Sequence, residues 1–317
     1  MSDVRIGLIG GSGLYHMDGL TVQEERRVTT PFGEPSDAFI LGELDGVEVA
    51  FLARHGRGHR LLPSELNFRA NVFGFKLLGV ERLLSVSAVG SMKMEYRPTD
   101  IVVPDQFFDR TRHRPDTFFG DGLVAHVSLA KPVCPELSDL YYDCAREAGV
   151  RSHRGGTYLC MEGPQFSTRA ESDIYRQWGV DIIGMTNFQE AKLAREAEIC
   201  YSTLAMVTDY DCWHEEEDDV NGQAVMEVVQ QNAATAQDVV RRVIRRLPVE
   251  RTCVCATALQ SALITDEALI PRQTREKLDP IIGRYLPRIA GYEPRGLGIV
   301  ALLVLLVVWG AFLRWYF

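Results

Sequence analysis

The sequence has no CxxC pair among its seven cysteines and no His spacing of the zinc-finger kind, so no metal framework is written in it. It is short of basic residues, with 34 Lys+Arg against 43 Asp+Glu and a formal charge of −9. That balance has the wrong sign for tracking a phosphate backbone, and nucleic acid is not an expected partner. The opening MSDVRIGLIGG lacks a basic region ahead of its apolar stretch, so no secretory signal is expected and the catalytic part is placed in the cytoplasm. Internal repeats and low-complexity tracts are absent too. A chain of 317 residues with 46% hydrophobic and 24% charged side chains is neither a disordered tail nor a small disulfide-stapled domain. Its length admits two domains, or one catalytic domain with an appendage.

The mean hydropathy of −0.06 averages over one local extreme. From 296 to 313 the run GLGIVALLVLLVVWGAFL holds eighteen residues without a charge, bracketed by Arg295 and Arg314. As a helix it would reach about 27 Å, close to the hydrocarbon thickness of a bilayer. Trp309, Trp315 and Tyr316 would form an aromatic belt, and Arg284, Arg288 and Arg295 bias the larger domain to the cytoplasmic side. A soluble helix shows a polar face and this stretch shows none, so a C-terminal transmembrane anchor is expected.

Over 1–250 the chain alternates short β-rich runs with amphipathic helices, the pattern of an α/β domain. Strands are expected at 4–9, 47–53, 83–88, 101–103, 157–161, 181–184 and 201–208, and helices at 64–79, 136–148, 168–178, 190–198 and 223–245. Thr168 followed by Glu171 has capping-box spacing. Residues 251–295, with Pro271, Pro280, Pro287 and Pro294, read as a Pro/Arg-rich linker with short helices.

Three kinds of segment carry chemistry. VRIGLIGGSGL runs a strand into a tight turn where Gly10, Gly11 and Gly13 allow close backbone approach and Ser12 offers a hydroxyl; it lacks the GK[ST] of a Walker A loop and the third glycine of a dinucleotide fingerprint. RHGRGH packs Arg54, His55, Arg57 and His59 into six residues of an acidic protein, a concentration of donors that suits an anion. The same letters open the histidine phosphatases, but there the motif lies near the N-terminus, and here a glycine turn and some fifty residues precede it. The strand ends SVSAVGS, GMTNFQE and VTDYDCW, with EGPQFSTRAES, place hydroxyls and acids where ligands gather in open α/β sheets.

Taken in order, GGSGLY, PFGEPSD, RHGRGH, SVSAVGS, DQFFDRT, EGPQFSTRAES, GMT and VTDYDCW resemble the purine nucleoside and methylthioadenosine phosphorylases, and most closely the latter, over about residues 4–245. The resemblance implies a nucleoside phosphorylase-like α/β domain, a mixed central sheet flanked by helices, assembled as a homotrimer or a dimer of trimers. It implies phosphorolysis of 5′-methylthioadenosine to adenine and 5-methylthioribose 1-phosphate, with a 6-oxopurine or methylthioinosine substrate as the alternative. Inorganic phosphate is then the co-substrate, and no metal or organic cofactor is expected. By matching position, phosphate falls to Ser12, Arg54, His55, Ser87, the amide of Ala88, and Thr186. Met185 matches the residue against the ribose and Phe166 lies in the base loop. Asp209 is the matching acid for purine N7 and would need a raised pKa. Asp211 and Ser167 fit a 6-amino group, which wants acceptors. The 5′ end would rest on Val225, Met226 and His59, with His126 entering from a neighbouring subunit and Gly222 where many members carry a small apolar residue.

The chain departs from the family pattern at Gln165, commonly arginine, and at Gln189, commonly proline before Glu190. Its Cys253-Val254-Cys255 segment resembles the C-terminal CxC of thermophilic members, where such pairs can be oxidised, and Cys134 and Cys200 match a bridged pair there; a cytosolic setting favours free thiols.

Overall fold

The computed structural model describes residues 5–11, 14, 17–214 and 220–287. Along Arg82–Ser91 (β5) the chain sends Leu83 into one apolar cluster and Leu84 into another, as a strand buried on both faces does. Leu8 and Ile9 of Ile6–Gly10 (β1) split the same way, so the sheet separates two core layers.

In chain order the other strands are Leu20–Arg26 (β2), Phe39–Leu44 (β3), Val47–Ala53 (β4), Ile101–Val103 (β6), Gln106–Arg110 (β7), Ser152–Arg154 (β8), Thr157–Met161 (β9), Ile182–Gly184 (β10) and Cys200–Asp209 (β11). The helices are Phe68–Leu77 (α1), Pro135–Glu147 (α2), Arg169–Gln177 (α3), Asn187–Glu196 (α4), Gly222–Arg246 (α5) and Arg272–Ile282 (α6). One path of the mixed sheet runs β2-β3-β4-β1-β5-β10-β9-β7, and β11 pairs with β5 and continues to β6 and β8. Strands β1, β4, β5 and β11 are mutually parallel neighbours, whereas β10 is antiparallel to β5. The carboxyl ends of the four parallel strands therefore open on one edge, and β10 comes back along the last residues of β5. One face of the sheet is covered by α1, α4 and α6, the other by α2 and α5.

Local signals explain the boundaries. The helix expected from 64 is interrupted, because Pro63–Glu65 forms a short 3₁₀ turn and Asn67 starts α1 afresh by accepting from the Ala70 amide. Thr168 caps α3 in the expected capping box with Glu171. The strands β2 and β7 escape a sequence reading because they lie largely in solvent and carry polar side chains.

The run expected as a linker is not one as far as residue 287. Leu259, Ala262, Ile270, Leu278, Ile281 and Ile282 are buried in the same core layer as α1 and α4, and Glu198 accepts from Leu259 N, the Tyr285 hydroxyl and Arg284. The prolines that suggested a linker stand ahead of α6, at Pro271, and inside its last turn, at Pro280. The uncharged stretch 296–313 lies outside the described residues, and among the described residues no helix is long and apolar enough to cross a membrane.

Candidate active site

A cavity of about 620 Å³ opens at the carboxyl ends of β1, β4, β5 and β11. Gly11, Arg54, His55, Ser87, Ala88, Met185, Thr186, Asp209 and Asp211 line it, together with His59, Phe166, Gly222, Val225 and Met226. Nearly every residue expected from the sequence is thus gathered into one space, although they come from segments more than a hundred residues apart. Ser12 lies outside the described residues. Ser167 does not line the cavity, although its neighbour Phe166 does, and its carbonyl accepts from Cys212 Sγ at 3.3 Å. His126 is exposed and does not line this chain's cavity; its amide donates to Ala262 O at 2.8 Å.

Several of the lining groups are suited to an anion. Thr186 is the N-cap of α4, so the positive end of that helix faces the space. The buried Ser87 hydroxyl has no partner among the described residues, and a buried hydroxyl without one costs about 1–3 kcal/mol until a ligand satisfies it. Arg54 is 1% exposed and its charge is not free. Its Nε donates to Glu190 at 2.5 Å, its Nη2 to Glu190 at 3.2 Å and to Ser85 Oγ at 2.7 Å, and its Nη1 to Val86 O at 2.9 Å. Nη1 carries two N–H groups, which leaves one for the cavity. Glu190 belongs to the motif in sequence, but its role as the counter-ion of Arg54 only appears once β4 and α4 are packed together.

His55 is held as the neutral ring: burial pulls it down from 6.5 to about 4, and Nδ1 lies 2.9 Å from Leu61 O. Nδ1–H therefore donates to that carbonyl and Nε2 is left to accept, which matches the P–OH of a hydrogen phosphate. His59 stacks on it at 4.2 Å. Between 6.5 and about 4 the unfolded chain takes up a proton that the native ring refuses, so native stability falls as pH drops through that window. In phosphate-free buffer, His55→Asn is expected to flatten the pH dependence of the urea midpoint there; an unchanged slope would show that other groups set it.

Two carboxyls line the same cavity. Strand β11 bulges against β5 between Val207 and Asp209, and the extra residue re-aims Asp209 into the cavity. Burial raises its pKa above the usual carboxyl value, although Thr208 Oγ1 donates to it at 2.6 Å and the Asp211 amide at 2.8 Å. Asp211 is raised as well, first by burial, with the charge of Asp209 adding to it. Gly90 makes room for this arrangement, because a Cβ there would lie 2.9 Å from Asp209 Oδ1 and 3.0 Å from Ile183. Gly90→Ala is expected to lower kcat by about 100-fold through a small displacement of the carboxyl, with the phosphate KM unchanged. Equal loss in both parameters would place the damage elsewhere.

Sequence reasoning missed Arg114, which is 8% exposed and holds the loop after β10. It donates to Met185 O, to Gln189 Oε1 at 3.1 Å and to Glu162 at 3.3 Å. Gln189 in turn donates to Thr111 Oγ1 at 2.8 Å. The glutamine that stands where the family pattern has proline is thus a buried partner for Arg114, and the loop keeps its anchor. Gln165, the other departure, is exposed. No short motif marks Arg114, since its partners come from three separate elements.

Comparison with known proteins agrees with this geometry. Residues 5–245 match the phosphorylase superfamily. The S-methyl-5′-thioadenosine phosphorylase of Koribacter versatilis is 61% identical over 281 residues, covering 89% of this chain and 96% of that protein. Among solved structures, a methylthioadenosine phosphorylase from an antarctic soil metagenomic library superposes with a TM-score of 0.84 at 49% identity, covering 88% of this chain and 99% of the other. The Schistosoma mansoni methylthioadenosine phosphorylase in complex with adenine gives 0.77 at 34% identity, covering 84% and 97%. With that match spanning most of its length, and with a cavity lined at the strand ends as described, the chain belongs to the phosphorylase superfamily.

Proposed function

We propose that the cavity binds 5′-methylthioadenosine and inorganic phosphate and splits the N-glycosidic bond, releasing adenine and 5-methylthioribose 1-phosphate for purine and methionine salvage. The observation that carries this reading is that the buried carboxyl of Asp209 lines one cavity together with Ser87, His55, Arg54 and Thr186, groups suited to an anion. Close relatives named as methylthioadenosine phosphorylases support it.

The chemistry follows from the layout. Phosphate held at the α4 N-terminus approaches the anomeric carbon while the bond to the purine lengthens, leaving oxocarbenium character on the ribose. Catalysis is then positioning and electrostatics, with phosphate and the loop carrying Met185 fixed in advance. The departing purine gathers negative charge, and a protonated Asp209 gives its proton to N7; burial favours the protonated form by raising its pKa above the usual carboxyl value. Asp211, behind it, offers an acceptor suited to a 6-amino group. Val225, Met226 and Val229 supply an apolar wall for the methylthio end, favouring it over a hydroxyl by about 1–3 kcal/mol. Gly222 leaves open space there, since a Cβ would meet nothing within 4 Å among the described residues. Phosphate is the only co-substrate in this scheme, and it uses no metal or organic cofactor.

The exposed His126 fits a homotrimer or dimer of trimers in which it completes a neighbour's 5′ site. The uncharged run 296–313, by its length and lack of polar side chains, is read as a membrane anchor for a cytoplasmic catalytic domain. Fractionating the full chain against a form truncated at 296 tests the anchor, and a full chain that stays in the soluble fraction removes it. A panel of methylthioadenosine, adenosine, methylthioinosine and inosine, each with and without phosphate, tests the reaction. Release of hypoxanthine from inosine with no turnover of methylthioadenosine would make this a 6-oxopurine enzyme. Phosphate release from a monoester with no nucleoside present would revive the histidine-phosphatase reading of His55.

A further inference from the structure

Four cysteines that are scattered in sequence meet at one point of the fold, away from the cavity. Cys134 is the N-cap of α2, Cys200 opens β11, and Cys253 and Cys255 flank the start of a 3₁₀ turn at Val254–Thr257. Their four sulfurs lie within 4.8 Å of one another, and Cys200 Sγ and Cys253 Sγ are 3.3 Å apart. All four are free thiols; Cys134, Cys200 and Cys255 are buried and Cys253 is half-buried, which leaves a path from solvent.

We propose that Cys134, Cys200, Cys253 and Cys255 form a structural tetrathiolate site for Zn²⁺. A tetrahedral zinc with Zn–S near 2.3 Å spaces its sulfurs about 3.8 Å apart, so the cluster closes on a metal with shifts of about 1 Å or less. Soft sulfur ligands in a closed four-coordinate set select zinc over the hard cations. Four thiolates around Zn²⁺ leave two negative charges, and the surroundings answer them. Arg195 donates from Nη1 to Cys255 Sγ at 3.6 Å and is itself fixed by Lys131 O at 2.6 Å and Val133 O at 3.4 Å. Cys134 sits at the positive end of α2, and its amide donates to Tyr201 O at 2.8 Å, which ties the two ligand-bearing elements together. Binding displaces a proton from each thiol still protonated, four at most, and involves no oxidation.

The site would clamp the segment after α5 to the domain. That segment buries Leu259, Ile270 and Leu278, and its backbone at 262–264 pairs with 124–126, where His126 lies. The clamped segment therefore supports a loop that the phosphorolysis reading uses, yet the existence of the metal centre does not depend on that reading.

The test is metal content of the full chain purified under reducing conditions without chelator. About one zinc per chain is expected, falling to below about a tenth in Cys253→Ser/Cys255→Ser. Should that variant not fold, titration of the wild-type chain with a mercurial serves instead: zinc should leave in step with the reaction of four thiols. Replacement by Co²⁺ should give the intense visible d–d bands of a tetrahedral tetrathiolate. A reduced protein that holds no thiophilic metal and takes up neither Zn²⁺ nor Co²⁺ overturns the proposal. So does peptide mapping that finds the four cysteines joined as disulfides.

Discussion

Asp209→Asn is expected to lower kcat/KM on methylthioadenosine by about 10²–10⁴-fold, the usual worth of a positioned general acid. The amide fits the same space and keeps an acceptor for the Asp211 amide, which donates at 2.8 Å in the native chain, while the Thr208 hydroxyl can turn to accept. What it lacks is the proton. The sign of the accompanying stability change follows from the raised pKa: the native state holds the proton more tightly than the unfolded chain, so the stability this carboxyl contributes is complete below the ordinary carboxyl pKa and is lost as pH rises through the folded value. At pH 8 the variant should therefore unfold at the same temperature as the wild type or above it, while turning over far more slowly. The ratio of inosine to methylthioadenosine turnover should rise, since an amide can donate to a 6-oxo group. A variant with lost activity and a lowered unfolding temperature would assign Asp209 a structural role.

Glu190→Gln should destabilise the fold by about 3–5 kcal/mol, because it leaves the charge of Arg54 buried without its counter-ion. The pair is nearly sealed from solvent, with side chains 2% and 0% exposed. Glu190 also accepts from the Tyr201 hydroxyl at 2.8 Å, so the loss spreads to β11. The double variant Arg54→Met/Glu190→Met removes both charges and should recover much of the stability, as buried pairs replaced by apolar groups do. It should not recover phosphate affinity. Urea unfolding of the single and double variants checks the first point, and the phosphate KM checks the second. Additive losses in the double variant would show that the two charges do not act as a pair.

How much of this was legible in the sequence depends on what each residue does. Strands such as β4, β6 and β9 announced themselves with apolar runs at the boundaries the fold shows. Residues that face the cavity were legible because the glycine turn, the RHGRGH cluster and the strand ends, taken in order, resemble the phosphorylases and give each position a matching role. Residues that hold those in place were not. Arg114 and the Arg54–Glu190 pair depend on contacts between elements, and no local spacing encodes them; the four cysteines were singled out in the sequence, but only the fold brings their sulfurs together. The linker expectation failed for a related reason: interspersed with prolines, the apolar residues at 259, 262, 270, 278, 281 and 282 carry no clear period, and only the packed core shows their common face.

The central claim rests on one reaction. Incubated with methylthioadenosine and phosphate, the chain should release adenine and 5-methylthioribose 1-phosphate in equal amounts, and release nothing when phosphate is left out. Adenine formed at the same rate without phosphate, or no adenine at all alongside rapid loss of inosine, would contradict it.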